Sequence, residues 1–126
     1  MCLFLDPVKT KRASRTGTTY VYKLLSKRVW NSQYTTPYQD TKVPNSGKLK
    51  SRRNGKLYKS EIKKEVVHKG IHVFRTKEAA LRRQRSPYCS VRVFRAKVNR
   101  ADLVAIGKYD DAVYTQIHID LSKEIK

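Results

Sequence analysis

Ile71-His72-Val73-Phe74-Arg75-Thr76-Lys77-Glu78-Ala79-Ala80-Leu81-Arg82-Arg83-Gln84-Arg85-Ser86-Pro87, running on into Cys89-Ser90-Val91-Arg92-Val93-Phe94-Arg95-Ala96-Lys97-Val98, is the stretch that decides the fold. Its first four residues are β-branched or aromatic and read as a strand. Thr76 is a good N-cap for a helix over Lys77–Arg85, with Glu78 near the positive end of the helix dipole, and Ser86-Pro87 stops it. Cys89–Val98 then alternates. Cys89, Val91 and Val93 fall on one face, and Ser90, Arg92, Phe94 and Ala96 on the other, the period of a half-buried strand.

Working outward, Val66-Val67 reads as strand, broken from Ile71–Phe74 by Lys69-Gly70. Leu103–Ile106 is a short apolar strand ending at Gly107, and Asp110-Asp111 marks a turn. Ala112–Ile119 alternates again, with Val113, Ile117 and Ile119 opposite Tyr114, Gln116 and His118. Thr19–Leu25 is a further strand, and residues 8–18 read as a basic arm or loop. Residues 26–60 form a long irregular basic segment, in which Asn45-Ser46-Gly47 and Asn54-Gly55 are turn signals. Asn54-Gly55 could close a tight hairpin of type I′. The order predicts an α+β fold: a small, mostly antiparallel sheet with one short helix and a long basic loop or hairpin.

A chain of 126 residues suits a single domain over 1–126. The decisive property is charge: 29 Lys+Arg stand against 10 Asp+Glu, a net +19. The excess is segregated, with +21 in residues 1–100 and −2 in residues 101–126. Self-repulsion at that level destabilises a compact state unless an anion relieves it, so the expected partner is a polyanion. No apolar window is long enough for a transmembrane helix, and the run Met1–Leu5 is too short for a signal peptide. Two cysteines make no disulfide framework, so an intracellular, reducing location is expected rather than secretion. Cys2, Cys89, His68, His72 and His118 lack the paired spacing of a metal site, and no metal or other cofactor is expected.

Three features could carry function. The segment Lys48–Lys59 has six cations among twelve residues and no acid. A finger of this kind would lie along a phosphate backbone through Lys48, Lys50, Arg52, Arg53, Lys56 and Lys59. Tyr58, Tyr34, Tyr38 and Trp30 would stack on unpaired bases. The helix tail Arg82, Arg83 and Arg85 offers guanidinium forks for phosphate, or simply complements the helix dipole. Arg92 shares a strand face with Phe94, a pairing suited to backbone and base together. The third feature is His72 with His118, since two histidines and a lysine can cleave RNA without metal. As ordinary sheet residues they need no such role. Cys2 would be a nucleophile only as the chain's N-terminal residue, and is otherwise a small apolar strand residue. Gly47-Lys48 and Gly55-Lys56 lack the rest of a phosphate loop.

Met1-Cys2-Leu3, Tyr22-Lys23-Leu24-Leu25, Gly70-Ile71-His72-Val73-Phe74 before Lys77-Glu78-Ala79, Leu103–Gly107 and Ala112-Val113-Tyr114 together resemble a group of short bacteriophage and large-DNA-virus proteins. The resemblance implies a viral context. It brings no activity and no site residue with it. The expectation is therefore a non-enzymatic, RNA- or DNA-binding protein with little sequence specificity. One alternative is docking on an acidic host or viral protein surface, as an inhibitor, nucleoprotein or capsid component. The other is a metal-independent ribonuclease.

Overall fold

A computed structural model of the chain describes residues 3–27, 34–36, 42–84 and 91–125. In chain order its elements are β1 (Leu3–Phe4), α1 (Pro7–Arg12), β2 (Thr18–Lys27), β3 (Tyr34–Thr35), β4 (Lys48–Lys50), α2 (Lys59–Lys64), β5 (Val66–Val67), β6 (Ile71–Phe74), α3 (Lys77–Gln84), β7 (Val91–Asn99), a 3₁₀ turn (Arg100–Asp102), β8 (Leu103–Ile106), β9 (Asp111–Tyr114) and β10 (Gln116–Ile125). The class is the expected one, α+β with a mostly antiparallel sheet. The main sheet runs β4-β10-β7-β2-β6-β9-β8, with β3 added to β2, and β1 pairs with β5 in a small second sheet.

Two connections show that the main sheet curls. Arg100–Asp102 alone joins β7 to β8, and Thr115 alone joins β9 to β10, yet each pair stands four strand positions apart in the sheet. In a flat sheet four positions span roughly 19 Å. The links reach at most about 14 Å and 7 Å. The two halves therefore fold toward each other about the β2–β6 junction, where Tyr22↔Phe74 is the registered pair. The tips are tied where they meet: Thr115 N–H donates to Asp102 O at 2.9 Å, and Ser51 N–H to Thr115 O at 2.7 Å.

The concave side holds the main core, to which every strand of the path contributes, from Leu49 on β4 to Leu103 and Ile106 on β8. On the convex side, α3 covers part of β2, β6 and β7 with Ala79 and Ala80 against Leu24, Phe74, Val91 and Val93. The small sheet covers β8 and β9 with Leu3, Leu5 and Val67 against Val104, Ala105 and Val113. Among the described residues nothing covers the strip of convex face beyond α3.

Several expectations change in detail. Residues 8–18 are not a free arm. Asp6 caps α1 by accepting from Lys9 N–H at 3.1 Å, Pro7 fits the first turn, and Thr10 Oγ1 exchanges hydrogen bonds with both Ile106 O and Ile106 N–H. The Asn54-Gly55 hairpin does not form. Residues 48–59 are a strand, a turn and the start of α2, because β4 pairs with β10 instead. Ala112–Ile119 is two strands, not one, and Val113 lies on the convex side while Ile117 and Ile119 lie on the concave side. The helix at 76–85 is present as α3, capped by Thr76 Oγ1 accepting from Ala79 N–H at 3.2 Å. Among the described residues no helix is long and apolar enough to cross a membrane.

Candidate functional site

The uncovered strip is built by register. On β7, Val91, Val93, Arg95, Lys97 and Asn99 share the convex face; α3 buries the first two and leaves the last three exposed. Arg95 pairs with Tyr22, Lys97 with Tyr20 and Asn99 with Thr18 on β2. Across the other edge, Lys97 pairs with His118 on β10, and His118 and Gln116 pair with Lys48 and Lys50 on β4. Directly paired residues share a face, so four strands bring Lys48, Lys50, Arg95 and Lys97 together with His118 and the exposed Tyr20. Neighbouring strands are about 4.8 Å apart and alternate residues about 7 Å, so the strip is a grid of cations roughly 14 Å wide.

Arg95 lies over the Tyr20 ring with its guanidinium carbon 4.5 Å from the centroid, a cation–π contact that leaves the ring half exposed. His118 donates from Nε2 to Ser46 O at 3.0 Å. A shallow hollow of about 420 Å³ opens among Tyr20, Arg95, Lys97, His118, Asp120 and Ser122. Asp120 is the acid of this hollow. The Ser122 hydroxyl and backbone N–H hold its carboxyl below the usual range, and Arg95 and Lys123 add to that.

The β4 edge of the strip depends on Gly47. Its φ is +80°, its N–H donates to Pro44 O, and its carbonyl accepts from Ile119 N–H at 2.8 Å. A Cβ there would stand 2.0 Å from Ile119 O. Glycine lets the chain turn tightly enough to lay β4 on β10, which brings Lys48 and Lys50 onto the strip.

The residues singled out in the sequence separate into groups. Lys48 and Lys50 are on the strip. Arg52, Lys56 and Lys59 are exposed on the following turn and at the start of α2. Arg53 is a correction. It is buried, its guanidinium clamps Glu61 bidentately at 2.6 and 2.5 Å, and it also donates to Lys69 O and Lys56 O. Its plane sits 4.6 Å over Tyr58, which is therefore committed to the clamp rather than free to stack on both faces. Glu61 also accepts from Tyr58 N–H at 2.9 Å, and its carboxyl is lowered chiefly by the Arg53 hydrogen bonds. This clamp holds the turn onto α2; the remaining guanidinium donor, Nε, has no partner but is buried, so Arg53 offers phosphate no donor within reach.

Arg82 and Arg83 are exposed in the last turn of α3; Arg85, Trp30, Tyr38, Cys2 and Cys89 lie outside the described residues. Arg92 is half exposed but paired with Glu124 at 3.3 Å, and Phe94 beside it is buried in the core with Tyr34 against its ring at 5.0 Å. The two rings meet edge to face at 72°, and the reading of Arg92 with Phe94 is corrected: Phe94 is in the core and presents no ring to a base. His72 and His118 are not brought together. They are separated by three strand spacings, roughly 14 Å along the sheet. His72 is buried, donates from Nε2 to His68 O at 2.8 Å, and burial lowers its pKa to about 4, with Lys23 adding to the shift.

Tyr20 and Lys97 were not singled out as binding residues by the sequence; Arg95, which follows Arg92 on the same strand, offers the same fork for phosphate, and His118 was read only as a catalytic candidate. The available signal was that the alternation on β7 has two phases, apolar through Val93 and cationic from Arg95, which marks where cover on that face ends. No protein-family model, no curated protein and no solved structure matches the chain.

Proposed function

We propose that the chain binds nucleic acid on the uncovered convex strip, through Lys/Arg–phosphate contacts with little sequence specificity. One observation carries the reading. Lys48 and Lys50 from β4 and Arg95 and Lys97 from β7 come to a single open face on either side of β10, beside an exposed aromatic ring and with Asp120 as the nearby acid. An open convex face with an exposed Tyr20 suits a single strand, whose bases are free to stack, better than a duplex groove. Arg52, Lys56 and Lys59 extend the same positive field beyond β4. The viral setting implied by the resemblance belongs to the same proposal.

The test is a titration with labelled single-stranded RNA and duplex DNA of equal length, in EDTA, with each sample checked on a denaturing gel. Log affinity should fall linearly with log salt, by about 0.7 per phosphate contacted on a single strand. Replacing Lys48, Lys50, Arg95 and Lys97 together by Ala should lower that slope by roughly 3. An unchanged slope in this variant removes the strip as the site. Absence of binding at low salt moves the weight to an acidic protein surface, and cleaved RNA moves it to a ribonuclease.

A further inference from the structure

A second group of cations faces a different cavity, on the concave side. Between α1 and the sheet lies an opening of about 560 Å³. Its rim carries Lys9 and Arg12 from α1, Arg75 from the end of β6, and Arg100 from the 3₁₀ turn. Its floor is the uncovered end of the main core: Val21, Leu103, Ile106 and Tyr114. Asp110 is the carboxylate on the rim, so four cations face one acid.

The rim is held in place by groups that do not use up its charge. Thr10 pins α1 to β8, and Arg15 donates to Leu103 O at 2.9 Å and Thr10 O at 3.3 Å, fixing the chain just after the helix. Arg75 is set by its backbone, whose N–H donates to Asp110 O at 2.6 Å. Arg100 spends one donor on Thr16 O at 3.3 Å. The side chains of Arg12 and Arg75 make no hydrogen bond or ion pair among the described residues. Arg12 and Arg75, exposed on the rim of one cavity, keep their donors for an anion, and the guanidinium fork matches phosphate oxygens. The floor adds a second requirement. Its aliphatic side chains and the Tyr114 ring offer a planar apolar group a dry surface, in a volume within the range of small-ligand sites. Burial raises the Tyr114 phenol above its ordinary pKa, while Arg75, Arg100 and Arg15 pull it the other way, so its hydroxyl stays a neutral donor in a positive field.

We infer that this cavity binds a phosphate monoester carried on a flat ring, that is, a nucleotide, with the phosphate on Arg12, Arg75 and Arg100 and the ring on the apolar floor. The ligand is either a free mononucleotide or the 5′-phosphorylated end of a strand. The inference uses none of the strip's cations and stands whether or not the strip binds nucleic acid.

The test is calorimetric titration of the full chain with the four 5′-mononucleotides, their nucleosides and inorganic phosphate. At least one mononucleotide should bind about 10-fold or more tightly than its nucleoside and than phosphate alone, the scale of one or two charge-assisted hydrogen bonds. Arg12→Gln and Arg75→Gln, both at exposed positions, should each weaken it by about 10-fold with circular dichroism unchanged. The variant lacking Lys48, Lys50, Arg95 and Lys97 should bind it normally, which separates this site from the strip. Displacement by a 5′-phosphorylated oligonucleotide, but not by its 5′-hydroxyl counterpart, assigns the strand end; no displacement by either assigns the free nucleotide. The inference is overturned if no mononucleotide binds more tightly than its nucleoside, or if folded Arg12→Gln and Arg75→Gln chains both bind as the parent does.

Discussion

Replacing Arg53 by Met separates two roles that a cation between residues 48 and 59 can have. The side chains of Arg53 and Glu61 are 1% and 11% exposed, so the clamp is shielded from water. The variant leaves the Glu61 carboxylate with Tyr58 N–H and takes donors away from Lys56 O and Lys69 O. Breaking a fully buried pair costs about 3–5 kcal/mol. Glu61 is near enough to the surface to recover some hydration, which brings the expected loss to about 2–4 kcal/mol. With an unfolding entropy of about 2.1 cal/mol/K per residue, that loss lowers Tm by roughly 8–15 °C.

The loss carries a pH signature. Glu61 has a depressed pKa in the folded chain, so its contribution is present above the unfolded value of about 4.3 and is lost as pH falls through the folded one. The Arg53→Met penalty should therefore be full at pH 7 and shrink below about pH 4. Arg53→Met with Glu61→Leu should recover most of the stability, since an apolar pair replaces both charges. Thermal unfolding by circular dichroism reads these effects. The salt slope for nucleic acid, measured well below Tm, should not change in Arg53→Met. In Lys48→Ala the slope should fall by about 0.7 while Tm barely moves. A Tm shift of under about 2 °C in Arg53→Met, well below the entropy-scaled range, together with a reduced salt slope, would refute the clamp and restore Arg53 to the interface.

Other perturbations follow from buried groups and tight turns. His72 titrates near 4 in the folded chain and near 6.5 unfolded, so the folded state binds fewer protons in that window and stability falls as pH drops from 6.5 to 4, by roughly 2–3 kcal/mol in all. Urea unfolding across this range should show the loss, and His72→Gln should flatten it. Lys23 is fully buried, donates from Nζ to His72 O at 2.8 Å, and burial lowers its pKa to about 8. Stability should rise from pH 8 to about 10.4, where only the unfolded chain still holds that proton, and Lys23→Met should remove the rise and gain about 1–2 kcal/mol at pH 7 after the lost hydrogen bond is counted. Gly47→Ala should cost about 1–3 kcal/mol through strain against Ile119 O and, by loosening β4, should also lower the nucleic-acid salt slope.

The strands outside residues 26–60 and α3 were legible because their signals are local. Alternation, the Thr76 cap and the glycines at Gly70 and Gly107 each act within a few residues. The helices α1 and α2 were not, for a physical reason: neither has an apolar stripe, and both are one-and-a-half turns held by capping and tertiary ties, such as Asp6 to Lys9 and Glu61 to Tyr58. The curl of the sheet escaped reading for another reason. Ala112–Ile119 keeps its period of two through Thr115, and nothing local marks the point where the chain crosses from one half of the sheet to the other.

The candidate site shows the same division between local and assembled signals. Charge density along the chain points to 48–59, and of its six cations the fold places Lys48 and Lys50 on the strip. Arg53 differs from its neighbour Arg52 only by the presence of Glu61 eight residues on, and which arginine turns inward is decided by the turn, not by composition. The strip draws two cations from each of β4 and β7, and the two on β7 do not make that strand stand out as basic. Register concentrates them. At spacings of about 7 Å along each strand and about 10 Å across β10 they lie within about one screening length of 8–10 Å near physiological salt, so they repel one another in the free protein. Tyr20 takes up part of the Arg95 charge and Asp120 part of the local field, but Lys48, Lys50 and Lys97 have no carboxylate partner among the described residues. A face that only needed solvation would space such charges or pair them. One that gathers them around an open ring gains stability when a polyanion arrives, because the ligand removes a repulsion that folding itself created.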